Sequence, residues 1–346
     1  MTTMNRDLEL LIAFLQPIKA LLLDETVTEI MGNPDGAWWY ERAGQLHRAD
    51  ITFDARSLST GLEVIANKLG RKLDDKHPLL NVQLPDGSRL AAVMPPVVRP
   101  APSLTIRKFA TVRYVMADLV KSGTLTQELA AYLRLQVEAG KTMLISGGTG
   151  SGKTTLLNAL ADFIPVRERL VIIEDTSELK IAKPNLLAAE CQADTHAGIV
   201  DFTALLKGAL RWRPDRIILG EVRGPEARDL LDSFNTGHAG SMATIHASSA
   251  LRALHRFGEL AMRAHQQSNR DDIATEIGDS VQIVIQVQRF AEGRRIAEMI
   301  ELRSYDRAEK MFRFASIYDL HQGHSTEHLH VQLQHNTTRE THHAIA

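Results

Sequence analysis

One cysteine, Cys191, stands in 346 residues, which excludes an intrachain disulfide framework and suits a reducing compartment. A lone thiol of this kind reads as a small buried residue rather than a nucleophile. Aromatic residues make up only 5% of the chain and the formal net charge is −2. The strong nucleic-acid signal, a basic track interleaved with aromatics, is therefore missing, and so is any global pull toward anionic lipid. No apolar run reaches the length that crosses a bilayer, and Met1-Thr2-Thr3-Met4-Asn5-Arg6-Asp7 lacks the basic region and apolar core of a secretory signal. The expectation is a cytoplasmic protein without a transmembrane segment, able to sit peripherally on the inner face of the cytoplasmic membrane. The 44% hydrophobic content, over this length, suffices for two domains, each with its own core.

The most informative run is Gly147-Gly148-Thr149-Gly150-Ser151-Gly152-Lys153-Thr154-Thr155. It satisfies the GxxxxGK[ST] phosphate-binding pattern, with Thr155 as a spare hydroxyl. Residues 142–146 before it are strand-like and 155–160 after it are helix-permissive, so strand, loop and helix follow in the order the motif needs. Glycines let backbone N–H groups turn toward phosphate oxygens, and the helix N-terminus adds partial positive charge. ATP and Mg²⁺ are the cofactors this implies. Lys153 reaches the β- and γ-phosphates, and Thr154 offers its hydroxyl to the metal.

Upstream, residues 8–23 carry apolar side chains at helical spacing, divided by Pro17. Residues 27–31 and 37–40 read as strands around a Gly/Asn/Pro/Asp turn, 58–69 as a helix, and 89–94 and 103–108 as strands flanking the proline-rich 95–102. This predicts a small α+β domain over 1–110, then a linker over 111–125 with a short helix at 116–121. Over 126–320, strand-like runs at 170–174, 216–219 and 242–245 alternate with helical ones at 202–210 and 225–234, the mark of βαβ units and a mostly parallel sheet. A hairpin of 281–287 with 295–302 across Gly293 closes that α/β domain. From 321 to 346 the chain turns polar and carries seven histidines, which reads as a solvated, disordered tail.

A phosphate-binding loop needs carboxylates from neighbouring strands. Glu174 and Asp175 end the run Ile172-Ile173, and Glu221 ends Ile217-Ile218-Leu219-Gly220. Gly220 stands where the Walker B pattern usually has aspartate. The acid chemistry therefore falls to Glu221, Glu174 and Asp175, one polarising the attacking water and another binding Mg²⁺ through water, with Glu221 ranked first for the water. His238 and His246 flank the strand-like 242–245 and suit a γ-phosphate-sensing or a structural role. A zinc site of His238, His246 and Glu221 fits less well, because the histidines lack i, i+4 spacing.

In sequence order, GGTGSGKTT, VIIEDTSEL (171–179), LRWRPDRIILGEVRG (210–224) and TGHAGSMATIHA (236–247) resemble the Walker A, Asp box, Walker B and His box of the secretion-motor ATPases. VTEIMGNPDGAWWYERAG (27–44) and DGSRLAAVMPPVV (86–98) resemble the TrbB-type conjugative transfer ATPases of the VirB-type branch. The resemblance covers residues 8–320 and implies a RecA-like P-loop NTPase domain in a homohexameric ring that drives conjugative type IV secretion. Its partners would be inner-membrane components of that apparatus. It also implies phosphate-touching arginines from the N-terminal domain, at the matching positions Arg89 and Arg107. A pilus assembly or retraction motor with the same chemistry, a RecA-like nucleic-acid motor and a nucleotide-gated scaffold are the alternatives.

Overall fold

The computed structural model describes residues 13–42, 44–109, 113–195, 198–264 and 269–320. The tail expected over 321–346 and residues 8–12 of the first expected helix lie outside them. The chain divides into two compact units, Met1–Val112 and Arg113–Ala346.

In the first unit, a 3-10 turn (Gln16–Ile18) with proline in its opening positions leads into α1 (Lys19–Leu23). Proline lacks an N–H and is tolerated at a helix start, which is why Pro17 divides this segment. There follow β1 (Val27–Gly32), β2 (Trp38–Arg42), β3 (Gln45–Ala49), α2 (Ala55–Lys68), β4 (Leu79–Gln83), β5 (Arg89–Val93) and β6 (Ser103–Arg107). The strands form one antiparallel sheet in the order β3-β2-β1-β6-β5-β4. Side chains alternate across it. Leu90, Ala92, Leu104 and Ile106 are buried with Leu58, Leu62 and Ile65 of α2, whose N-terminus is capped by Asp54 accepting from the Ser57 N–H at 2.8 Å. On the other face the register lines up Glu41, Glu29, Arg107 and Arg89 across four strands. Arg107 Nε lies 3.8 Å from the Glu29 carboxylate.

The second unit begins with α3 (Met116–Lys121), α4 (Gln127–Glu138), β7 (Met143–Gly147), α5 (Lys153–Ala161), β8 (Leu170–Glu174), β9 (Leu186–Glu190), β10 (Gln192–Thr195) and β11 (Gly198–Val200). It continues with α6 (Phe202–Ala209), β12 (Arg216–Val222), α7 (Glu226–Asn235), β13 (Met242–Ile245), α8 (Ala250–Met262), α9 (Arg270–Ser280), β14 (Ile283–Phe290), β15 (Gly293–Asp306) and β16 (Met311–Asp319). Eight of these strands build a sheet in the order β16-β15-β14-β7-β13-β12-β8-β9. It is parallel from β14 to β9, and β15 and β16 add to it antiparallel. The central strands are apolar on both faces because helices cover both. Met143 and Ile145 pack in the core that includes α4 and α5, whereas Leu144, Val171 and Ile173 pack in the core of α6 to α9.

Residues 116–125, expected to lie in a linker, are part of this second unit. Met116, Leu119 and Leu125 are buried in the core shared with Leu129, Leu156 and Leu160. Their apolar side chains gain more from burial than a solvated linker would allow.

Candidate nucleotide site

β7 is buried along its whole length and delivers Gly147 to the carboxyl edge of the parallel strands. A Cβ at Gly147 would come 2.3 Å from the Val287 carbonyl oxygen and 2.5 Å from Ser151 Oγ, so no other residue fits there. Gly150 (φ 68°) and Gly152 (φ 101°) take left-handed conformations, and Gly152 is the N-cap of α5. Gly148 has open space around it. Lys153 Nζ donates to the carbonyls of Gly147 (3.1 Å) and Gly148 (2.9 Å), which holds the ammonium over the loop. Thr154 and Thr155 lie half-buried in the first turn of α5.

Ser151 Oγ is buried without a hydrogen-bond partner among the described residues. An orphaned hydroxyl beside a helix N-terminus and a lysine fits an anionic ligand that would satisfy it. From the far end of the unit Arg294 Nε donates to the Gly150 carbonyl at 2.9 Å. Sequence reasoning missed this arginine because 144 residues separate the pair.

Glu174 closes β8 and is only 5% exposed. Its carboxylate accepts from the N–H groups of Glu178 and Leu179, both at 2.9 Å, yet burial outweighs these bonds and pushes its pKa up to about 7. A Cβ at Gly220 would lie 3.1 Å from Glu174 Cγ, so glycine on β12 makes room for the glutamate of β8. Asp175 parts company with Glu174: it is exposed and bonded to Arg223.

Glu221 uses both oxygens. Oε1 lies 2.6 Å from His246 Nε2, and Oε2 accepts from Arg223 Nε at 2.9 Å and Nη2 at 2.7 Å. Burial first, and the Lys153 charge second, hold the His246 pKa below its ordinary value against the pull of Glu221. The imidazole is thus neutral at neutral pH, with the Nε2 proton assigned to the Glu221 bond. Arg223, which also donates from Nη1 to Asp175 Oδ2 at 2.9 Å, was not anticipated. Its only signal is its place two residues after the strand-ending glutamate.

His238 does not join them. β13 runs parallel to β7, with Met242 beside Met143 and Ile245 beside Ser146. His246, directly after the strand, therefore stands beside the loop, and His238, in the turn before the strand, lies at the opposite edge, beyond a strand run of ~13 Å at ~3.3 Å per residue. There His238 Nδ1 meets the Ser233 carbonyl at 3.1 Å, and its own carbonyl accepts from Ser241 Oγ at 2.7 Å. The structure thus brings His246, and not His238, to the strand end beside the loop. Of the proposed magnesium ligands, Glu174 turns to the N–H groups of Glu178 and Leu179 while Asp175 and Glu221 share Arg223, and among the described residues no three metal-ligating side chains converge.

The family described as type II/IV secretion system protein matches residues 13–334. The conjugal transfer protein TrbB of Rhizobium radiobacter is 38% identical over 286 residues, 82% of this chain and 85% of its own length. The type IV secretion system protein PtlH of Bordetella pertussis is 35% identical over 312 residues, covering 80% of this chain and 90% of its own. Among solved structures, the ATPase DotB of Legionella pneumophila superposes with a TM-score of 0.59 at 18% identity, over 90% of this chain and 84% of that one, a likeness of fold. No described helix is long and apolar enough to cross a membrane. Glycine loop, paired strand-end glutamates and a histidine beside the lysine stand together on one edge, and the match spans both units: the chain belongs to the type II/IV secretion system proteins, a family of secretion ATPases.

Proposed function

We propose that this chain is the Mg²⁺-dependent ATPase of a conjugative type IV secretion apparatus, acting as a homohexameric ring on inner-membrane components from the cytoplasmic side. One observation carries the reading: a lysine-bearing phosphate loop shares its sheet edge with a Glu221–His246 pair, and the His246 pKa is lowered by burial first and by the Lys153 charge second. Backbone N–H groups of the loop, the Ser151 hydroxyl and Lys153 bind the triphosphate. The Thr154 hydroxyl, with Asp175 through water, would hold Mg²⁺, which would supply positive charge to offset that of the phosphate oxygens. Glu174 takes the proton of the attacking water, since a carboxyl group with a pKa near 7 suits a base at neutral pH. This reverses the ranking suggested by the sequence, because both oxygens of Glu221 are already engaged. Glu221 and His246 orient the water and the terminal phosphate. Arg89 and Arg107 keep the phosphate-sensing role that the resemblance implies.

The test is phosphate release from ATP with and without Mg²⁺, together with native mass across ATP concentrations. Mg²⁺-dependent release and a six-copy species support the reading. Absence of release removes the enzyme, and a monomer at every ATP concentration removes the ring.

A further inference from the structure

We propose that Arg223 is a positioning residue that fixes the Glu221 carboxylate for the reaction, an inference resting on the ATPase reading above. Its backbone is anchored first. Glu226, itself only 5% exposed in the first turn of α7, accepts from the N–H of Arg223 at 2.6 Å and of Gly224 at 2.7 Å. A Cβ at Gly224 would lie 2.9 Å from the same carboxylate, so the chain wraps closely around it. From this fixed point the guanidinium spans two strand ends. Nε and Nη2 bind one oxygen of Glu221, at the end of β12, and Nη1 binds Asp175, just past β8.

The oxygen of Glu221 left over is the one that meets His246, just past β13. Because β8, β12 and β13 are neighbours in the sheet, Asp175, Arg223, Glu221 and His246 form a continuous line across its carboxyl edge, ending at the strand beside the phosphate loop. Rotation of Glu221 would break both of its attachments at once. A planar fork donating to two carboxylates in different directions is a task for arginine, which lysine, with its compact ammonium, does in part.

Magnitude separates this role from a structural one. The Arg223 side chain is 51% exposed and that of Asp175 46%, and ion pairs so open to water contribute roughly 0–1 kcal/mol to folding. Stability therefore does not explain three aligned bonds, whereas orientation of the less exposed Glu221 does.

A double-mutant cycle with Glu221→Gln tests the inference. Arg223→Ala should lower kcat at least about tenfold while KM for ATP changes less than about twofold, with Arg223→Lys recovering part of kcat. In the Glu221→Gln background Arg223→Ala should cost less than about twofold more, because the carboxylate it orients is gone. Thermal melts of all variants should fall close to the parent. Losses that multiply, or a raised KM with unchanged kcat, overturn the proposal while leaving an active parent and its ATPase reading intact. A parent chain without turnover overturns both.

Discussion

Both edges of the parallel sheet carry polar side chains, and they use them in opposite ways. At the amino edge Arg216, 2% exposed, donates to the Glu168 carboxylate through Nε and Nη2 and to the Val137 carbonyl at 2.6 Å, with Gly240 close against its guanidinium. His238 settles there on a backbone carbonyl. At the carboxyl edge the Ser151 hydroxyl has no partner among the described residues, burial raises the Glu174 pKa to about 7, and burial with the Lys153 charge lowers that of His246. Saturated hydrogen bonding marks scaffold, and groups kept short of their preferred partner or charge mark chemistry.

The sharpest break should come from Lys153→Ala. It leaves the amino edge untouched and should reduce phosphate release by about three orders of magnitude or more at saturating ATP; turnover near that of the parent would strip the carboxyl edge of its role. Arg216→Ala should do the reverse. Leaving Glu168 without its buried partner should cost about 3 kcal/mol in urea unfolding, while folded protein keeps its ATP affinity.

Glu174→Gln should lower kcat and also change how stability depends on pH. With its folded pKa raised from 4.5 to about 7, Glu174 binds a proton in the folded state that the unfolded chain has released between those values. Its contribution to stability is therefore lost as pH rises from 4.5 to 7, by up to ~3 kcal/mol. The Gln variant, measured without nucleotide, should gain on the parent by that order at pH 8 and match it near pH 4; a constant difference would place the cause outside this carboxyl group. The smallest test compares the histidines. His246→Ala should lower kcat about tenfold, the worth of one good hydrogen bond in the transition state, and His238→Ala less than about twofold. Equal effects would erase the distinction between the edges.

Much of the carboxyl edge is legible in sequence because each part is local. The glycine loop, Glu174 and Glu221 at strand ends, and His246 after a short apolar run need only their neighbours. The misplaced His238 needed one step more, the direction of β13 relative to β7. Arg223 and Arg294 were missed because an exposed arginine in sequence looks solvated, and its worth lies in partners that only the sheet order brings near. In the fold, β16 was hidden by bulges at Met299/Ile300 and Leu302/Ser304, which interrupt the period-two pattern of its pairing with β15. The short edge strands β3 and β4 expose Leu46 and Leu79, which blurs their alternation. The helix α3 was read correctly as a helix, but its membership in the second unit depends on contacts with α5 that spacing alone does not announce.

The fit of Glu174 over Gly220 couples these two positions across adjacent strands. The space for one acidic side chain is shared between adjacent strands, and here the strand nearer the edge has claimed it. Restoring the customary aspartate at 220 would bring a Cβ to 3.1 Å from Glu174 Cγ, so the glutamate side chain would have to give way by a few tenths of an ångström.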